Sequence, residues 1–363
     1  SKEMNDKLSY WLLLAFAFSF PFGNIFGTIF IILLSILWLI SGNPFVKLKS
    51  AFTQPLFLTY TFLFFLQFPW LLNTWDIPRG LYLIQCNASM FVLPLIFFTG
   101  KNYVLKKYRY NILLALIFGC LAVSLCALSL AFYRYGFSGD TDMFFYSRLS
   151  GDFYHPGFMS VHFCLSIMIL ILDCLAIENF LPLLNRNFKI LLILWFVFFV
   201  FLLSSKIGLM ILSLMMIVFC LYVFIQTRNF VFKLSILILP IAFAFLIYNS
   251  DFKVRLKSSL KSITSDKSLD SNKESTALRI TGIETTLELL RSNWLVGTGT
   301  GDVWSDLRRY YFVEGKSACL KERVIPHNQF LNSFTKHGVI GILSLLLLLG
   351  YPLLVAWKKK YYS

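Results

Sequence analysis

Histidines and arginines carry most of the chemistry this sequence offers. His327 stands in Pro326-His327-Asn328-Gln329-Phe330-Leu331, at the expected start of a short helix that runs toward Gly338. An imidazole titrates near its ordinary value of about 6.5, so its neutral form can take a proton at ambient pH, and the positive end of a helix dipole favours that form. The plainer reading is a polar residue that caps a helix at a membrane surface. Arg279 has no carboxylate three or four residues away on either side. Its planar fork is therefore available to an external anion and matches phosphate oxygens two at a time. Arg291 follows Glu288 and Glu284 and can be satisfied on its own helix surface. Arg148 lies among Asp140, Asp142 and Asp152, which makes a loop ion pair the competing reading, and Lys206 in a tight turn suits snorkelling as well as anion binding. His155 is read as ligand-facing, His162 as packing and His337 as a helix cap. The run Gly297-Thr298-Gly299-Thr300-Gly301-Asp302 lacks the Gly-Lys-Ser/Thr of a phosphate loop and is expected to be a flexible turn. Trp294 and Trp304 flank it as candidates for packing or sugar stacking.

These groups need elements to hold them, and the composition says what kind. Of 363 residues, 58% are hydrophobic and only 14% charged, with a mean hydropathy of +0.71. That charge cannot coat a soluble surface of this size, which excludes a cytosolic enzyme and a disordered chain. Ten apolar runs are long enough to be spans: 8–22, 25–41, 54–72, 80–99, 110–133, 157–177, 188–203, 207–226, 230–249 and 338–357. The 39 residues of 188–226 would reach roughly 58 Å as one helix, against a hydrocarbon core of about 30 Å, so the chain must fold back near Ser204, Ser205 and Lys206. The first run lacks a small-residue cleavage site and reads as a retained anchor. Six cysteines fall in apolar runs as packing residues, Cys319 stands alone in a polar stretch, and no zinc-type spacing exists. Asp173 and Glu178, near the end of the sixth run, read as a helix-pairing or interfacial feature.

Alternate connections hold 15 and 4 basic residues, which places both termini in the cytoplasm. Most of the net charge of +15 is thereby a topology signal, and no nucleic-acid motif accompanies it. Residues 250–326 form a long connection on the outer side with 13 basic and 10 acidic residues. Ser271 and Glu274 have the spacing of a capping box, and Ile283, Leu287, Leu290 and Trp294 recur at helical intervals as an apolar face that would lie on the bundle. The expected fold is all-α, a polytopic transmembrane helical bundle of about 10–12 spans with one long, partly helical periplasmic loop. Its parts are a bundle of about nine spans over 1–249, a loop subdomain over 250–326, and a short outer helix, last span and basic tail over 327–363. On this topology all four histidines, Arg148, Lys206, Arg279 and Arg291 fall on the outer side.

That pattern resembles the O-antigen ligase and O-antigen polymerase superfamily of bacterial membrane glycosyltransferases. The likeness covers roughly 145–350. It rests on Arg148-Leu149-Ser150-Gly151 with His155-Pro156, on Ser205-Lys206 opening a span, on Arg279 followed by a helix, Trp294 and Gly297–Asp302, and on His327-Asn328 with Gly338 and Gly341 before the last span. The resemblance implies a glycan donor on a polyprenyl pyrophosphate and an acceptor hydroxyl on lipid A-core or a similar surface molecule, handled at the inner membrane without metal, nucleotide or other cofactor. It further implies catalytic roles for His327 and Arg279, with Lys206, Arg148, Arg291, His155, Trp294 and Asn328 binding pyrophosphate or glycan. Membrane lipid is a partner and nucleic acid is not. A polysaccharide polymerase is the alternative within the superfamily. From another class the alternative is a transporter or flippase of lipid-linked glycan, which the crowding of candidates on one face disfavours.

Overall fold

A computed structural model describes residues 2–99, 102–175, 181–226 and 275–362. They are helical and contain no strand. The helices are α1 (Lys2–Ser19), α2 (Asn24–Ile40), α3 (Pro44–Phe52), α4 (Pro55–Phe65), α5 (Ile77–Cys86), α6 (Ser89–Thr99), α7 (Asn102–Ser138), α8 (Tyr146–Ser150), α9 (Pro156–Cys174), α10 (Arg186–Leu203) and α11 (Lys206–Gln226). After the segment outside the described residues come α12 (Ser275–Asn293), α13 (Val303–Val313), α14 (Ser317–Lys321) and α15 (Gln329–Tyr362). Seven helical stretches among these are long and apolar enough to cross a membrane: 55–73, 77–99, 107–138, 156–174, 186–203, 206–226 and 329–358. The pair α2 and α3, bent by 107°, adds an eighth if it is one broken span. Each of the seven overlaps an apolar run expected above. The run 8–22 falls on α1 and the 3-10 turn Phe20–Phe22, while the run 230–249 and the Ser271–Glu274 spacing lie outside the described residues. The chain is thus a multi-pass, all-α membrane protein. Large apolar side chains along the spans, such as Met210, Leu214, Ile217 and Leu221 of α11, are exposed and are what hydrocarbon would cover.

The chain forms two compact units, residues 1–37 with 103–255 and residues 38–102 with 256–363. The first is built on α7, α9, α10 and α11. Ile117, Cys120, Val123 and Ala127 of α7 present one stripe at three- and four-residue spacing, and Met159, Phe163, Ile167 and Leu170 of α9 and Phe196, Phe199, Val200 and Leu203 of α10 complete its core. Small residues set the closest approaches, as expected where lipid supplies no drive to associate. A Cβ on Gly208 of α11 would sit 2.4 Å from Cβ of Ser160 on α9. The break between α10 and α11 falls where helix length required it, with Ser204 in the left-handed region at φ 44°. Asp173 is buried in an ion pair with Lys189 and also accepts the N–H of Leu181 at 2.8 Å, so it ties α9 to α10. Glu178 lies outside the described residues. None of the described cysteines forms a disulfide, and Cys120, Cys164 and Cys220 are buried among apolar groups.

The second unit holds α3 to α6 and α12 to α15. Its small polar-side core joins Leu289 of α12, Val303, Leu307 and Tyr311 of α13, Cys319 of α14 and Val324. Cys319 is therefore a packing residue despite its polar neighbours in sequence. The face that α12 buries differs from the expected one. Thr285, Thr286, Leu289 and Leu290 point inward, whereas Ile283, Leu287 and Trp294 are exposed. Buried threonines are tolerated because their hydroxyls are bonded: Thr286 donates to the carbonyl of Gly282 at 2.6 Å, and Thr285 accepts from the Lys316 ammonium at 2.9 Å.

Candidate active site

The glycine-rich segment 297–302 is the unexpected keystone of the second unit. It is buried throughout, not a flexible turn. Its amides are consumed by protein acceptors: Thr298 donates to Thr335 O at 2.8 Å, Gly299 to Lys336 O at 3.1 Å and Thr300 to Thr74 Oγ1 at 2.9 Å. A phosphate cradle needs those same N–H groups directed at a ligand, so this segment is not one. The carbonyls Thr335 O and Lys336 O are available because α15 breaks at Gly338, whose φ of 61° and ψ of −151° divide a short first helix from the membrane-spanning part. On the other side Asp302, 2% exposed, accepts the N–H groups of Trp75 at 2.8 Å and Asp76 at 2.9 Å. Asp302→Ala removes two charge-assisted bonds and should destabilise the protein by about 3 kcal/mol. Thermal unfolding in detergent reads this, and an unchanged midpoint would show that water replaces the carboxylate.

His327 reaches its place through the strap 322–328. The hydroxyl of Tyr311 donates to Val324 O at 3.2 Å, and the strap crosses α12 at Gly282, where a Cβ would lie 2.7 Å from Val324 Cγ1. Arg279 is on the preceding turn of α12. The first helix of α15 begins at Gln329, because Asn328 is its cap: the Asn328 side chain accepts the N–H groups of Phe330 at 2.9 Å and Leu331 at 3.3 Å. His327 therefore precedes the cap and does not occupy the first turn, contrary to expectation. Its imidazole is still held below 6.5, first by partial burial and then by the Arg279 guanidinium. Removing that positive charge makes the imidazolium easier to form. In Arg279→Gln the His327 midpoint, followed by NMR titration of labelled histidine, should rise toward 6.5 without reaching it, since burial remains. A midpoint that does not move would separate the two groups.

Of the remaining expected residues, the second unit contains Arg291, about 18 Å along α12 from Arg279, and Trp294 just past the end of that helix, both exposed. Arg291 makes no ion pair among the described residues. His337, expected to cap, does not. It is 2% exposed at the break in α15, with its ring nearly perpendicular to that of Trp70 at 5.7 Å between centroids and neither ring nitrogen hydrogen-bonded among the described residues.

The first unit contains His155, Lys206 and Arg148. His155 is the cap that His337 is not, since its Nδ1 accepts the N–H of Gly157 at 3.1 Å at the start of α9. Lys206 is exposed at the start of α11, where Ser205 Oγ accepts the N–H of Gly208 at 3.4 Å. A Cβ on Gly157 would lie 3.8 Å from Ile207, so His155 and Lys206 stand at the same end of two adjacent helices. Arg148 is paired with Asp140, the loop ion pair that competed with a binding role. His162 is packed between Phe20 and Tyr154, as expected.

One feature of the second unit was not anticipated. A cleft of about 510 Å³ is bordered by Asn73, Trp75, Asn293, Asp306, Arg309 and Tyr310. Burial, then the neighbouring Asp302, pushes the Asp306 carboxyl above the usual carboxylate range, and Arg309 offsets part of this. Polar groups, aromatic rings and a perturbed carboxyl in one cleft make it a candidate binding site. The available sequence signal was the spacing of Asp306, Arg309 and Tyr310, which puts all three on one side of α13.

The fold defines a multi-pass membrane protein in which α12, α13 and α14 are not among the stretches long and apolar enough to cross a membrane. Residues 191–346 of the 363 match the family model described as O-Antigen ligase, so that segment, from α10 into α15, supports membership of the O-antigen ligase superfamily. The match takes in Lys206, Arg279, Arg291, Trp294, His327 and Asn328 but not Arg148 or His155. No curated protein and no solved structure matches the chain. Proteins of that family are membrane glycosyltransferase-like enzymes.

Proposed function

We propose that the protein is a ligase that moves a glycan from a polyprenyl-pyrophosphate carrier to an acceptor hydroxyl, on lipid A-core or a comparable molecule, at the periplasmic face of the inner membrane. The observation that carries this reading is that the strap bearing His327 crosses α12 at Gly282, one turn from Arg279, where the guanidinium helps to lower the imidazole. Neutral His327 takes the proton of the acceptor hydroxyl as its oxygen attacks the anomeric carbon. The bond from that carbon to the pyrophosphate oxygen breaks, and Arg279 stabilises the negative charge that develops there. Keeping the imidazole below 6.5 leaves it neutral, and so able to accept, at ambient pH. The proposed chemistry calls on no metal or nucleotide.

Two experiments test this. Purified full-length protein in detergent, given lipid-linked glycan and acceptor alone, should form the joined product, and a transporter would form none. In cells, deletion of the gene should leave surface glycolipid with core and no chain. Core capped by a single unit would instead identify a polymerase, and an unchanged pattern would end both readings.

A further inference from the structure

α13 shows three faces. Val303, Leu307 and Tyr311 pack inward, and Asp306, Arg309 and Tyr310 border the cleft already described. The third row, Trp304, Arg308 and Phe312 at four-residue spacing, lines a second cleft of about 450 Å³ with Leu320, Lys321 and Arg323 from α14 and the turn after it. We propose that this second cleft binds the anionic groups, phosphate or carboxylate, of a saccharide.

Three exposed cations from two separate elements line it, and no acidic residue does. None of the three makes an ion pair among the described residues. Like charges brought together without counter-ions repel, an arrangement relieved by a bound anion, and two of them carry the fork that matches phosphate and carboxylate. Trp304 and Phe312 add flat apolar faces of the kind on which sugar rings stack. Arg323 supplies an independent observation. Its φ is 49°, a left-handed conformation that glycine adopts without strain and arginine does not. Strain retained at a residue whose side chain faces a cleft points to a use for that side chain. The saccharide class rests on the glycan-transfer reading, whereas anion binding at the cleft does not.

The test is binding by full-length protein in detergent, read by titration calorimetry with four probes: trigalacturonic acid, mannose 6-phosphate, neutral maltotriose and inorganic phosphate. The two acidic sugars should bind at least about tenfold more tightly than maltotriose, the scale of one charge-assisted group, and inorganic phosphate should bind more weakly than mannose 6-phosphate. Arg308→Gln and Arg323→Gly should each weaken the acidic sugars by about tenfold. Arg323→Gly should also keep or raise the unfolding temperature, because it removes backbone strain. His327→Ala should bind the acidic sugars as the wild type does, so the failure of glycan transfer and the failure of this cleft remain distinct results. Equal affinity for acidic and neutral sugars, or full affinity in Arg323→Gly, would overturn the proposal. Inorganic phosphate binding as tightly as the sugar phosphate would overturn the saccharide part.

Discussion

His327→Ala should lower glycan transfer by about 10²- to 10⁴-fold while leaving the yield and unfolding temperature of the protein unchanged. The two halves of this expectation have different sources. The rate loss follows from removing the only proposed proton acceptor for the attacking hydroxyl. Its size is that of general base catalysis and not of complete inactivation, since the Arg279 guanidinium still stabilises the leaving pyrophosphate. The intact fold follows from where the residue sits. His327 is mostly exposed, belongs to none of the apolar cores, and makes no side-chain hydrogen bond among the described residues, while the strap that carries it is anchored by Val324 and Tyr311 instead. The loss should appear in kcat more than in KM, because proton abstraction is made only in the transition state. Purified variant and wild type, compared under saturating acceptor, check it. Undiminished turnover would remove His327 as the base, and a loss confined to KM would make it a binding residue.

Arg279 and His327 also show how far the sequence could be read. Their residue types and the missing carboxylates around Arg279 were visible along the chain, and so was the need for a break near Gly338. The reason for their proximity was not. It depends on Gly282 having no side chain where the strap crosses α12, and on a hydroxyl bond from Tyr311 to Val324, neither of which has a local signature. Span boundaries were legible because hydrocarbon thickness sets them: α10 had to end near Ser204 whatever it packs against. The buried face of α12 was misread for a related reason. Apolar periodicity identifies a core-facing stripe when the far side meets water, but here threonine hydroxyls are satisfied internally, and Ile283, Leu287 and Trp294 remain exposed on a membrane protein. The cleft beside Asp306 was missed because its wall combines Asn73 and Trp75 with residues more than two hundred positions later.

Gly338→Ala should abolish the folded protein, whereas Gly350→Ala in the same helix should be neutral or slightly stabilising. At Gly338 a Cβ would lie 2.1 Å from Leu295 O and 2.5 Å from Leu295 C, and these are backbone atoms that no rotamer change can move. The conformation there, φ 61° with ψ −151°, is also one that only glycine adopts without strain, which adds about 1–3 kcal/mol. Relieving the clash means separating α15 from the chain at 295–299. That would break the bonds from Thr298 to Thr335, from Gly299 to Lys336 and from Val339 to Leu295 together. The combined loss exceeds the roughly 4–5 kcal/mol that marks an exceptional single substitution. Gly350 has nothing within 4 Å of its Cβ position, and alanine there should gain up to about 1 kcal/mol of helix stability. Size-exclusion profiles and unfolding temperatures in detergent decide the matter. If Gly338→Ala elutes as a folded protein near the wild-type midpoint, the glycine segment and the helix break do not interlock as described. Since the first helix of α15 begins one residue after His327-Asn328, the proposed base would then also lose the frame that places it against Arg279.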